Sequence, residues 1–74
     1  MPVQTEWEMK AANLLKAELK RKSVTYSQLV DRLQRIGVEE KEVNIRNKLS
    51  RGKFTAAFML QCLEAIGTEL LHLG

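Results

Sequence analysis

The sequence is 74 residues long, 45% apolar and 28% charged, with a formal charge of +3 at neutral pH. This is a globular composition, which excludes a disordered or low-complexity chain, and the length fits one domain with a small core. No apolar run approaches the roughly 18 residues of a bilayer span, the N-terminus has no signal-peptide pattern, and a lone Cys62 and a lone His72 can build neither an internal disulfide nor an ordinary zinc site; a cytoplasmic protein without metal or cofactor is therefore expected.

Proline occurs only at Pro2, which leaves the rest of the chain free for helices. Thr5 and Glu8 have capping-box spacing, so the first helix is predicted from Thr5 to Lys22, with Trp7, Ala11, Leu14, Leu15 and Leu19 as its apolar stripe and Lys20, Arg21 and Lys22 at its negative end. Thr25 and Gln28 repeat the capping box and open a second helix, 25–36, with Leu29, Val30, Leu33 and Ile36 facing inward and Gly37 ending it. A third helix spans 40–51, opened by Glu39, Glu40 and Glu42, anchored by Ile45 and Leu49, and stopped by Gly52. The fourth, 55–66, starts at Thr55 with Phe54 and Met59 at the spacing of a hydrophobic staple; Phe58, Met59, Cys62, Leu63 and Ile66 line its inner side, and Gly67 ends it. Residues 68–73 form a short element, one turn of helix or an edge strand. The expected fold is all-α, a compact bundle of four to five helices, with Trp7, Leu15, Leu19, Leu29, Leu33, Ile36, Ile45, Leu49, Phe58, Leu63 and Ile66 as its core.

Chemistry concentrates on the third helix. With Ile45 and Leu49 turned to the core, Asn44, Asn47, Lys48 and Arg51 recur at i, i+3, i+4 and i+7 on the other side. Asn reads adenine in a bidentate way, Arg and Lys read guanine, and either cation holds phosphate. No carboxylate occurs from Val43 to Phe54. A polar stripe on a short helix is ordinarily a solvated face. This one is almost entirely amide and cation, and it lies on the second helix of a helix–turn–helix pattern pivoting at Gly37, where the second helix enters the major groove. Asn44, Asn47, Lys48 and Arg51 are thus the expected base contacts, and Lys20, Arg21, Lys22, Lys41, Arg46 and Lys53 the expected backbone contacts. Elsewhere the bland readings prevail: Cys62 is a small buried hydrophobe, Ser23, Thr25 and Ser27 are turn and cap residues, His72 is a surface or interface residue, and no acid–base or nucleophile pair suggests an enzyme.

The order "LLKAELKRKSVTYSQLVDRLQRIG", "VNIRNKLSRGK", "FTAAFMLQCLEAIG" resembles the lambda-repressor-like, Cro/C1-type helix-turn-helix domains from Leu14 to Leu73. "NIRNKLSRGKF" followed by "AAF" is similar to the signature of an uncharacterised bacterial domain family without an assigned activity. Two features depart from the repressor pattern: the segment from Gly37 to Ile45 is longer than its turn, and Val30 stands where it favours alanine. The resemblance implies base contacts near Lys41, Asn44, Ile45 and Lys48.

These readings converge on sequence-specific duplex DNA binding by a small bacterial or phage-type transcriptional regulator. It is expected to act as a homodimer joined through Leu70, Leu71 and Leu73, with neither a membrane nor a small-molecule substrate as partner. The alternative is a protein-interaction adaptor on the same fold, which apolar residues exposed on the finished surface would favour. RNA is less favoured because no aromatic stacking platform is visible.

Overall fold

A threonine stands immediately before three of the four helices of the computed structural model, which describes residues 5–71 and 73. The helices are α1 (Glu6–Arg21), α2 (Tyr26–Arg35), α3 (Glu42–Arg51) and α4 (Ala56–Ala65), and no strand occurs among the described residues, so the fold is all-α. Thr5 and Glu8 close a reciprocal box: the Glu8 N–H donates to Thr5 Oγ1 at 3.0 Å and the Thr5 N–H to Glu8 Oε1 at 2.9 Å. Thr25 and Gln28 repeat it at 3.1 and 2.9 Å. Before α4, Thr55 Oγ1 accepts from the Phe58 N–H, and Phe58 has no side-chain group to return the bond. α3 begins at Glu42, two residues later than expected, with Lys41 at its cap position and no side-chain cap; residues 38–41 stay non-helical, with Val38 packed on the core and Glu40 bonded to Lys48.

Three helices stop in the same way. After α2, Gly37 turns left-handed at φ 82°, its N–H donates to the Gln34 carbonyl, and the Val38 N–H reaches back to the Leu33 carbonyl at 2.9 Å. After α4, Gly67 and Thr68 repeat the pattern onto Glu64 and Leu63. After α1, the left-handed position is occupied by Ser23 at φ 57°, and the Val24 N–H reaches Leu19. The residue following each left-handed one is carried back toward the bundle: Val24 is buried and Val38 packs on the core.

α1 and α2 each pack against both α3 and α4. The centre is Leu15, Leu19, Val24, Leu29, Leu33, Ile45, Leu49, Phe58, Cys62, Leu63 and Ile66. Two expected core residues are outside it. Trp7 is 77% exposed because α1 is the longest helix and its first turns overhang the cluster; the inward line of α1 is Ala12, Leu15, Glu18 and Leu19. Ile36 is 42% exposed because it is the C-cap of α2, where the chain leaves helical geometry, and Val38 packs against the core in its stead. Residues 68–71 form no helix or strand; Leu71 packs partly on the core while Leu70 stays exposed, and the expectation for His72 lies outside the described residues. No helix among the described residues is long and apolar enough to cross a membrane.

Leu33 is fully buried at the junction of α2 with α3 and α4. Leu33→Ala is expected to cost about 2–5 kcal/mol, a large part of the stability of so small a domain, and Ile36→Ala about 1 kcal/mol or less. Thermal and urea unfolding of the two variants compares them, and equal losses would return Ile36 to the core.

Candidate nucleic-acid interface

α3 is fixed to the bundle by two fully buried side chains, Ile45 and Leu49. Lys48 completes the anchor. Its ammonium donates to Glu40 Oε2 at 2.7 Å and lies 4.4 Å from the centre of the Phe58 ring. Partial burial pushes the Glu40 carboxyl up, but the Lys48 ammonium, the Lys41 N–H and the Asn44 amide outweigh it and hold the group below its ordinary pKa. The pair ties the non-helical stretch before α3 to its third turn and fastens both over α4.

Drawing Lys48 inward rotates the face that α3 offers to solvent. At about 100° per residue, the side opposite Ile45, Leu49 and Lys48 carries Val43, Arg46, Asn47 and Ser50, all exposed. The stripe read from the sequence is therefore split. Asn47 stands on the outer face, and Asn44 and Arg51 are exposed on its flank. Lys48 is half-buried and engaged. Asn44 also borders a shallow depression with Val30, Val38, Glu39, Glu40 and Lys41.

The expected backbone contacts are distributed along α1 and around α3. Arg46 donates to Glu42 Oε2 at 2.9 Å, and its guanidinium lies 5.8 Å from the centre of the Tyr26 ring at the start of α2. Lys20 is exposed and lines a groove with Lys16, Leu19, Val24, Thr25 and Tyr26. Lys16, Lys20, Tyr26 and Arg46 thus join the end of α1, the start of α2 and the middle of α3, and the first turn of α2 has no acidic residue. Arg21 makes two bonds to Glu18, from Nε at 3.2 Å and from the terminal nitrogen at 2.7 Å, and Lys22 Nζ donates to the Gly67 carbonyl at 3.3 Å. Lys53 Nζ lies 3.3 Å from Glu8 Oε2, at the opposite end of α1 from Lys20 and about 18 Å away along its axis. Lys41 is exposed beside Glu40.

Sequence reasoning missed Lys16 and Tyr26. Lys16 precedes Lys20 by one helical turn, a visible signal; Tyr26 reads as an ordinary first helical residue until the fold sets Arg46 over it. It also missed Glu18, which is buried and accepts from Arg21 and from the Thr68 hydroxyl at 3.0 Å, tying α1 to the segment after α4. The Arg21 bonds hold its carboxyl below the usual range against the opposing effect of burial. Cys62 is buried beside the Glu40–Lys48 pair, and burial pushes its thiol up to about 12, so it is a neutral core group at physiological pH.

The chain belongs to the family described as Domain of unknown function (DUF6471), whose model matches residues 7–71. It matches no curated protein and no solved structure.

Two outcomes follow from these contacts. Lys48→Ala takes the ion-pair partner from the Glu40 carboxylate and leaves it the Lys41 N–H and the Asn44 amide; it is expected to cost about 1–3 kcal/mol, whereas Arg46→Ala, which breaks an exposed pair, costs about 0.5 kcal/mol or less; chemical denaturation separates them. Glu8 (through the Thr5 N–H first), Glu18 and Glu40 all have lowered pKa values in the fold. Each contributes stability above the unfolded carboxylate value of about 4.3 and loses it as pH falls through the lower folded value. The melting temperature should hold from pH 7 to about 5 and fall below about 4, and Glu18→Gln should flatten part of that fall. A melting temperature that rises on acidification would contradict the assignment.

Proposed function

We propose that this protein is a small cytoplasmic DNA-binding regulator of the lambda-repressor-like helix-turn-helix type, in which α3 enters the major groove and the end of α1 with the start of α2 meets the phosphate backbone. The observation that carries this reading is the contact of Arg46 with Tyr26. It joins the Lys16–Lys20 groove to the outer face of α3, where Asn47 and Arg51 stand exposed with no hydrogen-bond or ion-pair partner among the described residues. An amide and a guanidinium so placed suit adenine and guanine edges.

The charges on this surface refine the roles. The Arg46–Glu42 and Lys53–Glu8 pairs are exposed, hold weakly, and exchange readily for a phosphate. The Lys48–Glu40 pair is more enclosed, so Lys48 positions α3 and does not read bases. Glu39 and Glu42 beside the start of α3 repel phosphates there, so the helix docks by its middle and C-terminal half. Base contacts then fall to Asn47 and Arg51, with Asn44 at the margin, and backbone contacts to Lys16, Lys20 and Arg46.

Fluorescence anisotropy of labelled duplexes across a salt series tests this, first with random DNA and then with a selected site. Lys16→Ala or Lys20→Ala should weaken binding to every sequence and reduce the salt slope by about one. Asn47→Ala or Arg51→Ala should cost about 1–3 kcal/mol on the selected site and relax preference there. A wild-type protein with no salt-dependent duplex binding at low ionic strength would end the DNA reading in favour of a protein-interaction adaptor.

A further inference from the structure

Arg46 stands where α3 meets α2, and two side chains hold it in different ways. A terminal nitrogen of its guanidinium donates to Glu42 Oε2 at 2.9 Å, and the guanidinium carbon lies 5.8 Å from the centre of the Tyr26 ring. The two holds use different parts of the group. A guanidinium offers its face to an aromatic ring and its N–H edge to oxygen anions, so a ring leaves the edge available while a carboxylate takes part of it. Glu42 occupies one terminal nitrogen, and the Arg46 side chain makes no other hydrogen bond among the described residues. The Arg46 and Glu42 side chains are 58% and 44% exposed, so a ligand can reach the open edge from solvent. Tyr26 also lines the groove of Lys16 and Lys20, which places that edge on the same cationic surface.

We infer that Glu42 is a built-in competitor for a phosphodiester oxygen at Arg46, and that Tyr26 is the positioning residue that keeps the guanidinium in place for the exchange. The inference rests on the DNA reading and adds to it a brake, set by one carboxylate, on the phosphate contact of α3. In the free chain Glu42 fills the place of the anion. Glutamate one turn N-terminal to a basic residue is the favoured order for a helical pair, yet an exposed pair of this spacing shifts its equilibrium by only about twofold. A phosphate arriving at the open edge meets the Glu42 carboxylate as a like charge. It either displaces the carboxylate or binds beside it less well, and on both routes Glu42 opposes binding through Arg46. Tyr26 acts in the opposite sense. An arginine released from Glu42 gains rotamer freedom that the phosphate must take away again, and the ring limits that spread in advance. A phosphate contact is made to every sequence, so the brake lowers affinity for all duplexes alike and leaves the base preference of Asn47 and Arg51 in place.

Duplex binding by fluorescence anisotropy at low ionic strength tests the assignment, with Glu42→Gln, Tyr26→Leu and Tyr26→Phe made in the wild type and again in Arg46→Ala. Circular dichroism melts confirm that each variant is folded. Glu42→Gln should tighten binding to random and selected duplexes alike, by about two- to fivefold. Tyr26→Leu should weaken it by a similar factor, and Tyr26→Phe, which keeps the ring, should recover most of that loss. In the Arg46→Ala background most of each effect should disappear, because the double-mutant cycle isolates what passes through Arg46. A Glu42→Gln gain that persists undiminished without Arg46 reports a diffuse charge effect, and a Tyr26→Phe variant as weak as Tyr26→Leu assigns the role to the hydroxyl; either result overturns the proposal. The Arg46 Nε–H resonance gives a readout without DNA. Inorganic phosphate should move it, chloride at equal ionic strength should not, and Glu42→Gln should lower the phosphate concentration required. The two readings fail separately. A wild type that binds duplex while Glu42→Gln binds no tighter keeps the DNA reading and ends this one. A chain that binds no duplex, yet shows the phosphate response and its shift in Glu42→Gln, ends the DNA reading and keeps Glu42 as competitor for a free phosphate. A chain that responds to neither ends both.

Discussion

Two buried side chains, Ile45 and Leu49, hold α3 to the bundle, and two such anchors alone leave a ten-residue helix free to roll about its own axis. The Lys48–Glu40 pair removes that freedom. By fastening Lys48 over the Phe58 ring and drawing Glu40 against the third turn, it selects which side chains of α3 point outward. Val43, Arg46, Asn47 and Ser50 face solvent on the side opposite the one to which Lys48 is drawn. Arg46 meets Tyr26 because the roll angle puts it on the α2 side, and that contact makes one surface from three helices.

The same principle governs the charge of the surface. Of the twelve basic side chains in the chain, several lie beside carboxylates. Their environments differ, and with them the ease of redirecting each one. Lys48 is held in a partly enclosed pair and Arg21 by two bonds to a buried carboxylate, whereas Arg46 and Lys53 reach their partners through solvent. Enclosed pairs act as joints of the fold, since removing one partner strands the other, and solvated pairs cost little to exchange. Lys16 and Lys20, which take no ion-pair partner among the described residues, stand where α1 ends and α2 begins.

Small size shapes the rest. A domain this short cannot cover all of its apolar side chains with its own core. α1 outruns the helices packed on it, so Trp7 and Met9 are left outside, and the segment after α4 returns only partly to the bundle, tied by the Thr68–Glu18 bond and by Leu71. The groove between them is apolar because of this geometric mismatch.

Local chemistry settled most of the fold before any packing was considered. The Thr5–Glu8 and Thr25–Gln28 boxes, the Thr55 cap, and the left-handed glycines 37, 52 and 67 depend on residues within a few positions of one another, so element type and most helix ends are written in the sequence. The exceptions are equally local in cause. Ser23 ends α1 in a conformation that glycine usually marks, and α3 starts after Lys41, a residue with no capping oxygen to mark the position. Tertiary structure alone decided how each helix is rolled and which ends are covered. The stripe Asn44, Asn47, Lys48 and Arg51 was drawn from Ile45 and Leu49, which fix the inward direction only coarsely. Phe58 on α4 and Glu40 before α3 then pulled Lys48 out of it. Trp7 and Ile36 fit the periodicity of their helices yet lie beyond the reach of the neighbours, and Glu18 is buried because Arg21 and Thr68 satisfy it there. Periodicity states which residues share a face; what stands opposite that face is a contact between distant parts of the chain, and only the packed structure supplies it.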